Sequence, residues 1–174
     1  MDFALGAGSL VAPAAHTNSS GVFFPNMGGG NYLNFSGDVL IKHNFGFGGE
    51  VAWRTSRTNY GGFLPLRPLF YDFNAVYAPR LGRHAGIDLQ AGIGAENLRF
   101  YTPNYQCGYF GCTNYVSSNH FMGHFGGGIR LYPYGNFFIR PEAHVYLINN
   151  NLEFDANHGA RVGISIGYTF GGKY

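Results

Sequence analysis

Through most of this chain apolar and polar residues alternate with a period of two, the pattern of an extended strand whose two faces meet different surroundings. The alternation breaks into eight runs, at 2–11, 32–42, 45–55, 69–78, 85–96, 120–132, 137–148 and 161–170. In the last, RVGISIGYTF, Val162, Ile164, Ile166, Tyr168 and Phe170 share one face, while Arg161, Gly163, Ser165, Gly167 and Thr169 share the other. The second run sets Leu33, Phe35, Val39 and Ile41 against Asn34, Ser36, Asp38 and Lys42, and the third sets Phe45, Phe47, Val51 and Trp53 against Gly46, Gly48, Glu50 and Arg54. Each run is close to the ~9–11 residues that a tilted strand needs to cross a bilayer.

The connections alternate in length. Long polar or Gly-rich links are predicted at roughly 12–31, 56–68, 97–119 and 149–158, and short turns at His43-Asn44, Pro79 to His84 and Pro133 to Asn136. Strands joined in this way run up and down, with every long loop at one end and every tight turn at the other.

Charge placement indicates which face points inward. Asp38, Glu50, Asp72, Asp88, Glu96 and Glu142, with Lys42, Arg54, Arg130, Arg140 and Arg161, all fall in the phase rich in glycine and small polar residues. A water-soluble barrel would turn that phase outward and fill its middle with the apolar one. An eight-stranded barrel is only wide enough for its own side chains, so four or five Phe, Tyr, Trp, Leu or Ile from every strand would overfill it. The glycine-rich phase fits inside, and its opposite charges can pair across the lumen. Tyr71, Phe73, Tyr77, Trp53, Phe45, Phe47, Phe137, Tyr168 and Phe170 then lie outside, many near strand ends where aromatic girdles form. The expected fold is an all-β, eight-stranded antiparallel up-and-down transmembrane barrel, one domain over 1–174.

Composition agrees with strands rather than helices as the spanning elements. Charged residues are 11% and aromatics 18% of the chain, with 28 glycines, a poor inventory for a water-facing surface, yet no apolar run reaches the length of a membrane helix. A net charge of +2 with scattered basic residues offers no footprint for nucleic acid. No secretory leader is visible after Met1, so an outer-membrane protein would be seen here with its signal peptide removed. Cys107 and Cys112, in NYQCGYFGCTNY, can form a local disulfide in an oxidising compartment; the alternatives are two free thiols or half of a metal site, for which no second half is evident.

Eight alternating strands, four long loops opposite three short turns, a charged lumen and a last strand GISIGYTF resemble, over the whole chain, the small eight-stranded outer-membrane barrels of the OmpA-like and OmpX-like type. The resemblance implies a bacterial outer-membrane location among lipid and lipopolysaccharide. It also implies that the closing aromatics Tyr168, Phe170 and Tyr174 are read by the barrel-assembly machinery. Some members of that family gate slow ion passage with lumen salt bridges, a part open to Glu50, Arg54, Arg130, Arg140, Glu142 and Arg161; the alternative is that they close and stiffen the barrel. Others are lipid A-modifying enzymes, but no His-x-Ser-Asn pattern and no serine beside a histidine on the outward face is found here, so no enzyme is expected. His144 lies beside Glu142, and His120 and His124 share a face on another strand about 7 Å apart, where they could bind a metal; lumen histidines hydrogen-bonded to acids are the commoner outcome, and no cofactor is expected.

The loops are the expected seat of function. The third carries Tyr101, Tyr105, Tyr109, Phe110 and Tyr115 around the two cysteines, and the first adds Phe23 and Phe24. Tyrosines held in place by a disulfide form a recognition surface at low entropic cost, unless they merely roof the barrel. The expected role is structural and interactive: adhesion, or self-association into an oligomer or filament through the loops. A narrow pore for ions or small solutes is the alternative.

Overall fold

The computed structural model describes residues 1–109 and 111–171, so Phe110 and Tyr174 lie outside the described residues. Eight strands close into a ring: β1 (Asp2–Val11), β4 (Asn31–Lys42), β5 (Phe45–Arg54), β7 (Leu64–Tyr77), β8 (Ala85–Gly108), β9 (Gly111–Tyr134), β10 (Phe137–Ile148) and β11 (His158–Thr169). Every neighbour is antiparallel, and the seam is the β1–β11 ladder from Asp2↔Thr169 to Val11↔Ala160. The alternation sets the orientation. Leu5, Phe73 and Ile93 are 60–64% exposed in mid-strand, while Asp38, Glu50, Asp88 and Arg140 on the other face are buried. An apolar belt this continuous on the outside of a closed sheet is stable only against lipid.

The tight turns follow from backbone sterics. His43 and Asn44 both adopt positive φ (49° and 68°), the two-residue hairpin geometry whose twist matches the strands it joins. The chain bulges between Leu40 and Lys42, so that Lys42 pairs with Phe45. This corrects the placement of Lys42 among the lumen charges: an extra residue breaks the period of two, and the side chain is exposed beside the turn.

The third long link is also different from its expectation. Residues 97–119 continue β8 and β9 as a two-stranded ribbon, in register through Tyr101↔Tyr115, bulged between Tyr101 and Gln106, and paired again at Cys107↔Cys112. Both faces of such a ribbon meet water, so nothing imposes the alternation by which a strand is recognised. Cross-strand contacts hold it instead: the Tyr101 and Tyr115 rings lie 5.8 Å apart, with Arg57 over Tyr101 at 3.7 Å and Arg99 over Tyr115 at 5.1 Å. The first loop contains the short pair β2 (His16–Thr17) and β3 (Phe23–Phe24), and the second contains β6 (Thr58–Tyr60), paired to the start of β7.

The lumen is layered. At the long-loop end its core is apolar: Leu10, Met27, Tyr32, Leu66, Phe70, Leu98, Met122, Tyr146 and Ile148 pack with Phe154 and Ala156 of the fourth loop. Phe70 stacks on Tyr146 at 4.8 Å and 6°, and Tyr60 meets Phe154 edge-on at 5.5 Å. Ala4, Tyr132 and Phe138 form a second apolar cluster in which Arg130 lies over the Phe138 ring at 5.2 Å. The inward phase is therefore less uniformly small and polar than its charges suggest.

Candidate functional site: a lumen charge network and a clipped ribbon

The inward phase brings the charges of seven strands into contact. Arg130 of β9 is paired with Asp2, with Asp38 at 3.1 Å and, through Nε, with Asp88 at 2.9 Å. Arg140 of β10 donates from Nη1 to Asp88 at 2.6 Å, from Nε to Glu142 at 2.8 Å and to Ser165 Oγ at 3.1 Å, and from Nη2 to Ser36 Oγ at 3.0 Å. Arg161 of β11 is paired with Glu50, donates from Nε to Tyr146 Oη at 3.0 Å, and stands 3.6 Å from Glu142. Asn34 Nδ2 donates to Glu50 at 3.1 Å and to Glu142 at 3.0 Å. These groups are nearly solvent-free, so each depends on its partners for the hydrogen bonds that water would supply.

Glycine makes the space. A Cβ on Gly128 would stand 2.8 Å from Arg140 Cγ, and one on Gly126 would stand 2.5 Å from His144 Nδ1. Without them the long side chains could not lie flat against the neighbouring strand.

The remaining inward groups fall outside this arginine-centred network. Asp72 faces His124 at 3.4 Å, and His124 Nδ1 also meets Asn74 Oδ1 at 2.8 Å. Glu96 accepts from Asn151 of the fourth loop at 2.9 Å rather than from an arginine. Arg54 is buried beneath the first loop with no hydrogen-bond partner for Nε or Nη1 among the described residues. His120 and Glu153 face each other at 3.0 Å at the long-loop end. There, Tyr60 donates to the Glu153 carbonyl at 2.8 Å, and burial together with the Glu153 carboxylate raises its hydroxyl above the ordinary tyrosine range. Asp2, Asn34, Ser36, Asn74, Tyr146 and Ser165 also join lumen contacts; the alternation alone places each of them in the inward phase.

At the long-loop end the ribbon tip is clipped by the Cys107–Cys112 disulfide. Tyr105 and Tyr109 beside it are 70% and 97% exposed, Tyr101 and Tyr115 are half-buried, and Phe23 of the first loop is exposed while Phe24 stacks on His16 at 5.5 Å. At the opposite end Tyr168 and Phe170 lie on the outer face, 4.8 Å apart, with Phe170 edge-on to Phe3 across the seam at 5.9 Å.

No protein-family profile matches the chain, and no curated protein matches it by sequence. Solved structures do match by shape. Neisserial surface protein A is similar at a TM-score of 0.69 and 10% identity, over 97% of this chain and 96% of that one. The attachment invasion locus protein of Yersinia pestis, in complex with the heparin analogue sucrose octasulfate, is similar at 0.60 and 14% identity, over 96% and 97%. The N-terminal β-barrel domain of Pseudomonas aeruginosa OprF follows at 0.56 and 11%, also over 96% and 97%. At such identities the likeness is one of fold, and this chain has the fold of the small eight-stranded transmembrane barrels of the OmpA-like and OmpX-like type.

Proposed function

We propose that this protein is a bacterial outer-membrane barrel whose work is done by its long-loop end: adhesion, or self-association with further copies, through the tyrosine-rich ribbon. The lumen serves as a closed structural core. The observation that carries this reading is the ribbon itself, which extends β8 and β9 beyond the Glu96↔His120 pair to the Cys107↔Cys112 pair and ends in exposed tyrosines beside a disulfide. Such rings offer contact area with little ordering cost, and the stacked Arg57–Tyr101 and Arg99–Tyr115 pairs stiffen their support. The Yersinia neighbour is described as an attachment protein, which agrees with this reading.

The closed lumen is supported by the two apolar clusters above and by the paired charges, which fill the middle of the barrel. The reading is non-catalytic, with His120 facing Glu153 and His124 held by Asn74 and His144. Lipid and lipopolysaccharide surround the belt, and the barrel-assembly machinery reads the outward Tyr168 and Phe170.

The test is to display on cells the wild type and a variant in which 102–114 is replaced by a two-residue turn. Loss of surface binding or of cell–cell aggregation, with the folded barrel retained on an unheated gel, is the expected result. Undiminished binding, or steady conductance of the wild type in planar bilayers, would overturn the reading in favour of another loop or of a narrow pore.

A further inference from the structure

We infer that Glu50, Glu142 and His144 form a buried site for one divalent transition-metal cation of the zinc class. One ligand atom from each lies within 4.8 Å of the other two, and all three side chains are 1–2% exposed.

The hydrogen bonds determine what His144 presents. Asn74 donates its amide to Asp72, so its carbonyl oxygen faces His124 Nδ1 at 2.8 Å, and an Asp72 oxygen faces the same nitrogen at 3.4 Å. Facing these acceptors, His124 Nδ1 is the donor in the tautomer that leaves a lone pair at Nε2. That lone pair receives the proton of His144 Nδ1, 2.8 Å away. In that tautomer His144 presents its own lone pair at Nε2, which has no hydrogen-bond partner within normal distance among the described residues and faces Glu142 Oε1 at 3.6 Å and Glu50 Oε2 at 4.0 Å. Glu50 Oε2 and Glu142 Oε1, which share the Asn34 amide nitrogen as their donor, therefore converge with His144 Nε2 in a space without bulk water, where one cation can be held by all three. The sequence Asp72–His124–His144 is the kind of outer support that orients a metal-binding imidazole.

Charge balance favours a cation. With Asp72, joined through His124 and His144, the connected network holds six carboxylates (Asp2, Asp38, Glu50, Asp72, Asp88 and Glu142) against three arginines (Arg130, Arg140 and Arg161). An imidazole with two carboxylates is a donor set that zinc accepts. Asn34 completes it. Its amide nitrogen bridges the two carboxylates, and its Oδ1 has no hydrogen-bond partner. A half-turn of the amide brings Oδ1 to the cation as a fourth donor.

The experiment refolds the full chain into detergent micelles with zinc, because the site is enclosed, then dialyses it and measures bound metal. One zinc per chain is expected, with an upward shift of the thermal unfolding midpoint that a chelator present during refolding removes. His144→Gln and Glu142→Gln should abolish retention, His124→Ala should weaken it by ~10–100-fold through loss of orientation, and His16→Gln at the exposed His16–Asp155 pair should leave it unchanged. Should the lumen variants fail to fold, nitrogen NMR of the wild-type imidazoles decides, since zinc must move the His144 Nε2 resonance. No retained zinc in the wild type, equal retention in the folded His144→Gln variant, or a His144 ring that stays doubly protonated and unmoved by zinc would each overturn the site.

Discussion

The middle of the lumen and the β8–β9 ribbon are built on opposite rules. In the middle of the lumen charged groups are buried and the arginines of the network are held by neighbours from several strands, as Arg140 is held by Asp88, Glu142, Ser36 and Ser165. On the ribbon, aromatic and basic side chains are half-buried or exposed and held pairwise by a few ring contacts and one disulfide. Removing one member of the first set strands its partners in a medium that cannot solvate them. Removing one member of the second exposes its partner to water, which can. The two regions should therefore answer mutation in opposite ways, one through stability and the other through binding.

The contrast is broken most directly at Arg140. Arg140→Ala leaves Asp88 and Glu142 short of a buried partner and should cost ~3–5 kcal/mol, read from urea unfolding followed by the fluorescence of the single tryptophan, Trp53. A loss below ~1 kcal/mol would mean that water reaches the network, as the fixed-core description forbids. Phe70→Ala should cost ~3–5 kcal/mol as well where the site cannot collapse, and toward the lower figure if loop residues such as Phe154 move in. Planar-bilayer recordings of that variant ask whether the stack with Tyr146 blocks passage; a newly opened conductance is the expected outcome.

Smaller effects sharpen the comparison. Tyr146→Phe removes one acceptor from Arg161 Nε and should cost ~1–3 kcal/mol, measured by the same unfolding curves. Replacing both cysteines by serine should destabilise only the ribbon, by about 2 kcal/mol for so short a loop, seen as faster amide exchange near 107–112 with no change in barrel unfolding. Tyr105→Ala, at a 70% exposed position, should stay within ~0.5 kcal/mol in stability while lowering surface binding.

The alternation exposes the barrel in the sequence because one face of every spanning strand meets lipid and the other meets a narrow polar interior. Where that asymmetry ends, legibility ends. Lys42 keeps the inward phase on paper, but one bulged residue turns it out to the surface. The ribbon looks like loop because water bathes both its sides. The histidines show a third limit. His120 and His124 share one strand and one face in the sequence, yet the lumen instead brings His124 to His144 on the neighbouring strand, at 2.8 Å. Such pairings depend on the stagger between strands, which no single strand records. The same is true of Glu96, which has the phase of a network acid but meets Asn151 from a loop folded back over the barrel end.

The position of Asp2 has a consequence for assembly. It lies on β1, the strand that closes the ring against β11, and its carboxylate reaches Arg130 on β9, two strands beyond β11 in the ring. An open sheet leaves that arginine with Asp88 from the adjacent strand and with water. Only the closed ring delivers Asp2 and Asp38 while excluding the water, so the last hydrogen-bonded ladder and the last ion pairs form together. The lumen ion pairs thus reward closure of this sheet in addition to the ladder itself.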